Sequence, residues 1–260
     1  MKKILCLFSA LSIVLMSSCS SDDTSNEAGS DALLPKKIVE TSVENGISGT
    51  LDYTFTYDGN KLKQVSLSDA SKYVYTYTGD LITKVEKFYS SELQSTDVYA
   101  YEGGKLISKI TTQAFGSAPQ EKLTLVYNAN GTVNANQSQI INKQEIKYDS
   151  TTLITFANGN VISSEYIDGV REKTTSTFDD KKSPFINITG AKLLLDLDHD
   201  FDYSSVNNPL TSTTVETDGS GKVVQTATVK YTNKYNASNF LSEVSAGDAK
   251  NSFKLEFTYN

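Results

Sequence analysis

Tyr53-Thr54-Phe55-Thr56-Tyr57 alternates aromatic side chains with threonine, turns at Asp58-Gly59-Asn60, and resumes alternation through Lys61-Leu62-Lys63-Gln64-Val65. The arrangement returns 20 residues later as Tyr73-Val74-Tyr75-Thr76-Tyr77, Thr78-Gly79-Asp80 and Leu81-Ile82-Thr83-Lys84-Val85. A third copy runs Tyr99-Ala100-Tyr101, Glu102-Gly103-Gly104-Lys105 and Leu106-Ile107-Ser108-Lys109-Ile110. Period-two alternation of aromatic and β-branched residues makes a strand with one buried face, and glycine supplies the positive φ of a tight turn. Each copy therefore reads as a β-hairpin. An isolated hairpin is unstable in water, so neighbouring units must pair edge to edge.

Weaker copies continue to the end of the chain. They turn at Asn128-Ala129-Asn130-Gly131, Ala157-Asn158-Gly159-Asn160, Asp179-Asp180 and Asp218-Gly219-Ser220-Gly221, and close with Tyr231 to Val244 and Phe253 to Tyr259. The expected fold is all-β: an antiparallel meander of repeated β-hairpins forming a long curved or twisted sheet. The spacing between turn-flanking aromatics drifts from 20 (Tyr57 to Tyr77) through 24 and 26 to 29 at Phe156, which suggests lengthening strands or loops rather than a strict solenoid.

One segment breaks the alternation. Between Ile186 and Pro209, Leu193, Leu194, Leu197 and Phe201 recur at helical spacing, so Ala191 to Phe201 reads as a short amphipathic helix that could fill the concave side of a curved sheet. The same residues also read as a strand, with Asp196, Asp198, Asp200 and Asp202 on one face. A helix or insert is thus expected near 186–205. Asp196, Asp198 and Asp200 match the first three ligands of a calcium loop, but Phe201 stands at the sixth position, where glycine is needed, and Asn207 at the twelfth, where glutamate is needed. A looser calcium site on those three carboxylates is the one metal site the sequence offers, and no other cofactor is expected.

The N-terminus carries an address. Lys2 and Lys3 precede an apolar run, Ile4 to Met16, which is shorter than the roughly 20 residues a membrane-spanning helix needs. Leu15-Met16-Ser17-Ser18-Cys19 resembles the lipobox cut by the lipoprotein signal peptidase. That resemblance implies a diacylglycerol on Cys19 and anchoring by buried acyl chains. Loss of Lys2 and Lys3 would take the formal charge from −7 to −9. Ser20-Ser21-Asp22-Asp23 and the polar residues after it read as a solvated tether, with a reach of roughly 20–24 Å over Ser20 to Pro35. The acidic start of this tether resembles the surface-export signal of Bacteroidota lipoproteins. The expected organisation is a signal peptide over 1–18, a lipidated cysteine and tether over 19–36, and a hairpin-repeat domain over 37–260.

The units YTFTYDGNKLKQV and YVYTYTGDLITKV resemble the tyrosine-aspartate repeats of the Rhs family, and more closely those of Bacteroidota repeat lipoproteins. The resemblance covers about Leu51 to Asn260, and it implies fold and location without implying catalytic residues. Aspartate is missing after Tyr77, Tyr101 and Tyr127, a departure from strict repeat geometry.

Function is constrained mainly by exclusion. The acidic balance, 24 Lys and Arg against 31 Asp and Glu, argues against nucleic acid as a partner. His199 is the only imidazole and has no Gly-x-Ser-x-Gly elbow to serve, and Gly219-Ser220-Gly221-Lys222 departs from a phosphate loop at Glu216 and Val223. Asp149-Ser150-Thr151 resembles an O-glycosylation site of exported Bacteroidota proteins. No catalytic residue is assigned, and the chain is read as non-enzymatic. Tyr53, Phe55, Tyr57, Tyr73, Tyr75 and Tyr77 form aromatic ladders that would bind a glycan or an extended peptide if one ladder faced solvent. The leading expectation is a lipid-anchored binding module for a glycan or protein ligand, on the outer membrane and facing the cell exterior. A structural envelope role or a carboxylate-dependent hydrolase are the alternatives.

Overall fold

The computed structural model describes residues 32–195 and 202–260. Cys19, the tether as far as Asp31, and the acidic triad Asp196, Asp198 and Asp200 lie outside the described residues, as does His199; the last residues of the expected 19–36 tether are folded, with Leu34 buried and Pro35 and Lys36 opening the first strand. The strands are β1 (Pro35–Glu44), β2 (Ile47–Asp58), β3 (Lys61–Leu67), β4 (Ser71–Thr78), β5 (Leu81–Tyr89), β6 (Glu92–Glu102), β7 (Lys105–Gln113), β8 (Gln120–Tyr127) and β9 (Val133–Ile141). They continue as β10 (Gln144–Ala157), β11 (Asn160–Asp168), β12 (Val170–Phe178), β13 (Pro209–Thr217), β14 (Val223–Lys230), β15 (Thr232–Tyr235), β16 (Leu241–Gly247) and β17 (Ser252–Tyr259).

Every strand pairing is antiparallel. Successive strands pair from β1 to β14 and again from β15 to β17. β17 then returns to β1 through a register running from Ile38 opposite Phe257 to Val43 opposite Ser252. β14 and β15 are separated only by Tyr231. β14 pairs with β13 on one side of the ring and β15 with β16 on the other. The meander therefore curls into a nearly closed barrel, which pairs most of the edges a long open sheet would leave free and leaves β14 with one edge unpaired among the described residues at the break.

The repeat is visible as geometry. In the first three units the turn glycines Gly59, Gly79 and Gly103 adopt φ of 55°, 57° and 55°. Each unit also carries a bulge before its last tyrosine. Tyr57 faces Leu62 while Thr56 faces Gln64, and the offset recurs at Tyr77 with Ile82 and at Tyr101 with Leu106. A bulge leaves backbone groups out of the ladder, and the tyrosine of the following unit meets them. Leu62 N donates to the Tyr77 hydroxyl at 3.0 Å, Tyr101 donates to Ile82 O at 2.7 Å, and Tyr127 donates to Leu106 O at 2.9 Å. Tyr259 binds Leu241 O in the same way, and Tyr57 binds Pro35 O at 2.7 Å. The repeated tyrosine is thus a staple between consecutive hairpins.

A ring of about sixteen strands encloses a lumen too wide for wall side chains alone to fill. The described parts of the 179–208 segment, 179–195 and 202–208, fill one end of it. Asp179-Asp180, read from the sequence as a hairpin turn, is instead where the chain leaves the wall, and Pro209 is where it returns to pair with the strand it left. Phe185, Ile188, Ala191 and Leu194 are all buried, and Phe185 packs on Tyr203 with ring centroids 4.8 Å apart. The helix expected over 191–201 is, within the described residues, a single 3-10 turn over Ala191–Leu193, after which Leu194 and Leu195 continue as irregular buried chain. This plug is fixed by polar side chains as well. Asn208, 1% exposed, bonds Asp179, Lys181 O and Lys182 O, and Tyr235 donates to Asp179. Asn160 Oδ1 accepts from Val206 N and Asn207 N, each at 3.0 Å. Thr189 N reaches Asn60 O at the first repeat turn, and Gly190 (φ 76°) passes so close to the next turn that a Cβ there would lie 2.5 Å from Asp80 O.

The repeat turns at 58–60, 78–80, 102–105, 128–131 and 157–160 lie at the plugged end, whereas the turn at 218–221 lies at the other. The chain also enters at the plugged end: Leu34 and Asn260 bond each other, and Asn187 Nδ2 donates to Leu33 O. At the other end hairpin tips carry exposed apolar side chains, among them Ile47, Tyr89, Phe115 and Val223.

Candidate functional site

Alternation fixes what each face of the wall offers. On β2, Tyr53 and Phe55 are each 4% exposed and point to the plug, whereas Thr54 and Thr56 are exposed. Outward positions elsewhere carry ion pairs and hydroxyl ladders: Lys37 with Asp52 at 2.8 Å, Lys84 with Glu86 at 2.9 Å, Lys254 with Glu256 at 2.8 Å, and Thr177 with Thr211 at 2.7 Å. A membrane-spanning barrel has an outward apolar band about 25 Å tall, bounded by aromatic girdles. The outward positions of this wall are mostly polar, with single apolar residues such as Val98 and Val126 exposed among them and no aromatic girdle among the described residues.

The six aromatic residues singled out in the sequence all lie inside. Tyr53, Phe55 and Tyr75 are buried, and Tyr57, Tyr73 and Tyr77 are half-buried against the same core. Tyr53 donates to Glu40 at 2.8 Å, Tyr77 donates to Thr189 O at 3.1 Å, and Phe55 faces Phe185 at 6.4 Å. Burial pushes the Tyr77 hydroxyl up to about 12, and pushes Tyr75 well above its usual range with Tyr203 beside it adding to the shift. These ladders form no solvent-facing groove: period two reveals that a strand has a buried face, and here that face carries the rings.

The inner wall changes character around the ring. From β2 to β7 the inward positions next to the plugged end are aromatic and aliphatic, Phe55, Leu62, Tyr75, Ile82 and Leu106 among them, with Lys109 and Asp97 farther along the same face. Over β11 to β13 the inward positions become Ser164, Thr174, Ser176, Ser212 and Thr214, with Thr174 paired to Thr214 and Ser176 to Ser212 at 2.8 Å each. Hydroxyls fill less space than tyrosine rings, and a cleft of about 310 Å³ remains between this wall and the plug. Ile154, Val161, Phe178 and Pro209 line it from the wall, and Leu195, Asp202 and Ser204 from the plug. Asp202 Oδ1 accepts from Ser204 Oγ at 2.7 Å and from Ser204 N at 2.8 Å, which orders that rim.

Tyr231, at the break between β14 and β15, completes the lining. Its backbone N–H bonds Leu210 O and its ring meets Phe253 edge-on at 6.2 Å. Its hydroxyl, unlike those of the staple tyrosines, has no partner among the described residues. Two positions along the same strand, Asn233 donates to Pro209 O at 2.9 Å while its buried Oδ1 accepts nothing among the described residues. Sequence reading missed these residues. The available signal was the replacement of aromatic by Ser and Thr at alternate positions in Thr174–Phe178 and Pro209–Thr217.

Among the described residues no group of three or more His, Cys, Asp or Glu is placed to hold a metal ion. No protein-family model matches the sequence, and no curated protein matches it. Among solved structures, a porin-like protein from Bacteroides uniformis is similar in fold, with a TM-score of 0.53 at 14% identity over 87% of this chain and 96% of that one. The likeness is one of architecture, an antiparallel barrel-like sheet.

Proposed function

We propose that this protein is a lipid-anchored, non-catalytic binding module of the outer membrane, facing the cell exterior, whose ligand enters the open end of the barrel and lodges against the plug. The observation that carries this reading is the hydroxyl-lined cleft that the described residues leave inside a barrel closed at one end. The ligand-binding surface in this reading is the interior, because the condition set for the aromatic ladders, that one of them face solvent, is not met. The lipobox residues ending at Cys19 and the likeness of the hairpin units to Bacteroidota repeat lipoproteins support the location. The mostly polar outer wall supports a barrel standing in water on its tether rather than one crossing the bilayer. Because the chain enters the barrel at the plugged end, a tether there points the open end away from the membrane. Non-catalytic binding is favoured because Asp202 is the one ionisable carboxylate among the described cleft residues, which leaves acid–base chemistry without a second group.

The test is a thermal-shift and native mass-spectrometry screen of the full chain in detergent against neutral glycans, acidic glycans, fatty acids and peptides. At least one class is expected to bind and to raise Tm. Failure of all four classes would overturn the reading.

A further inference from the structure

The chemistry of the cleft narrows the ligand class. This step rests on the binding reading above. Its polar lining is almost entirely hydroxyl. In each of the pairs Thr174 with Thr214 and Ser176 with Ser212, a single hydrogen lies between the two oxygens. A hydroxyl has one proton and two lone pairs, so the accepting member of each pair keeps its own proton, and both oxygens keep lone-pair capacity. Tyr231 adds a hydroxyl with no partner among the described residues, and Ser163 and Ser164 add two more hydroxyls to the lining. These groups both donate and accept, and they carry no charge.

The remaining lining, Ile154, Val161, Phe178 and Leu195 among it, is apolar. A ligand that fits must present a ring of hydroxyls at its edge and a C–H surface on its face. We infer that the cleft binds a neutral sugar ring, with Tyr231, Thr174, Ser176 and Ser212 bonding the sugar hydroxyls and the apolar residues packing on the ring face. The size agrees: a cleft of about 310 Å³ is enough for one pyranose ring. A fatty acyl tail would cover the same hydroxyls without bonding them, and unmet buried hydrogen-bonding groups are costly. An anionic ligand would meet Asp202 with no cation among the described lining residues to offset it.

The test uses saturation-transfer NMR and titration calorimetry on the full chain in detergent, with glucose, galactose, mannose and N-acetylglucosamine as probes, and glucuronate and palmitate as contrasts. At least one neutral sugar is expected to bind, and Tyr231→Phe and Ser212→Ala are each expected to weaken it about tenfold. Tyr89→Phe removes a hydroxyl from an exposed hairpin tip and is expected to leave affinity unchanged; it also controls for folding, as does an unaltered circular dichroism spectrum in each variant. Palmitate binding that is weakened by the cleft substitutions, with no neutral sugar bound, would overturn the sugar assignment while leaving an interior ligand site standing. Sugar binding indifferent to Tyr231→Phe and Ser212→Ala would also overturn it, since the sugar would then sit elsewhere. Absence of binding by all probes would overturn the sugar assignment, and the broader four-class screen then decides whether the interior site survives.

Discussion

If the repeated tyrosine is a staple, removing one oxygen from it should loosen the barrel by a calculable amount. Tyr101 is the cleanest site, because its hydroxyl makes one described bond, 2.7 Å to Ile82 O, and that carbonyl sits at a bulge where the ladder is interrupted. Tyr101→Phe keeps the ring and its packing. What is lost is one hydrogen bond, and what remains is a part-buried carbonyl with reduced access to water, together about 1–2 kcal/mol. With a urea dependence of roughly 2–3 kcal/mol/M for a chain of this size, the unfolding midpoint should fall by about 0.5 M with an unchanged slope. Tyr89→Phe is the matched control: the same atom is removed from a tyrosine that is 53% exposed. It should shift the midpoint by less than about 0.1 M, as expected for an exposed surface position. The bonds of Tyr77, Tyr101 and Tyr127 have different partners, so the triple variant should lose about 3–5 kcal/mol, near the sum of the single losses. Equal midpoints for Tyr101→Phe and Tyr89→Phe would refute the staple.

Two further outcomes follow from the same geometry. Folding holds the Tyr77 hydroxyl at about 12 against an ordinary value of 10.0, because burial disfavours tyrosinate. The unfolded chain therefore releases this proton first, so the stabilisation is complete below pH 10 and is lost as pH rises from 10 through 12. Tyr75 and Tyr57 are shifted in the same direction and add to the loss, so tyrosinate absorbance and loss of β-sheet signal should rise together in that window. Gly190→Ala places a methyl group against Asp80 O at a residue with φ 76°, whereas Gly221→Ala, with φ 83°, meets open space. The first should cost about 3 kcal/mol and the second about 1 kcal/mol, the difference being the clash between plug and wall, measured as the gap between the two urea midpoints.

The hairpins were readable because each carries its own instructions, period-two alternation and a turn glycine, within about a dozen residues. Closure of the ring was not readable in that way. It depends on Ile38 meeting Phe257 and on a strand that changes partners at Tyr231, and nothing local to either residue signals the distant register. Asp179-Asp180 misled because an acidic pair after an aromatic strand has the composition of a turn, whereas Asp179 in fact receives Tyr235 and Asn208 and starts the plug. The apolar run after Ile186 was recognised as filling for a concave face, though its described part is an irregular chain with one 3-10 turn rather than a helix. The cleft was the hardest element to read. In Thr174-Thr175-Ser176-Thr177 both faces of the strand carry hydroxyls, so alternation has no contrast and the inward pair Thr174 and Ser176 looks like the outward pair.

The mostly polar outer face of the wall is the feature on which the cup, its cleft and its orientation all depend. It is tested most directly by spin labels on Thr54→Cys, Thr76→Cys and Thr124→Cys, introduced one at a time with Cys6 and Cys19 changed to serine, so that lipid contact at these sites can come only from the wall. Relaxation by a water-soluble reagent is compared with relaxation by oxygen in the presence of phospholipid vesicles. All three outward positions are expected to remain fully accessible to the water-soluble reagent and unaffected by vesicles. Protection from that reagent with enhanced oxygen relaxation, at a band of outward positions around the ring, would show a wall that faces lipid and would contradict the proposed water-standing cup.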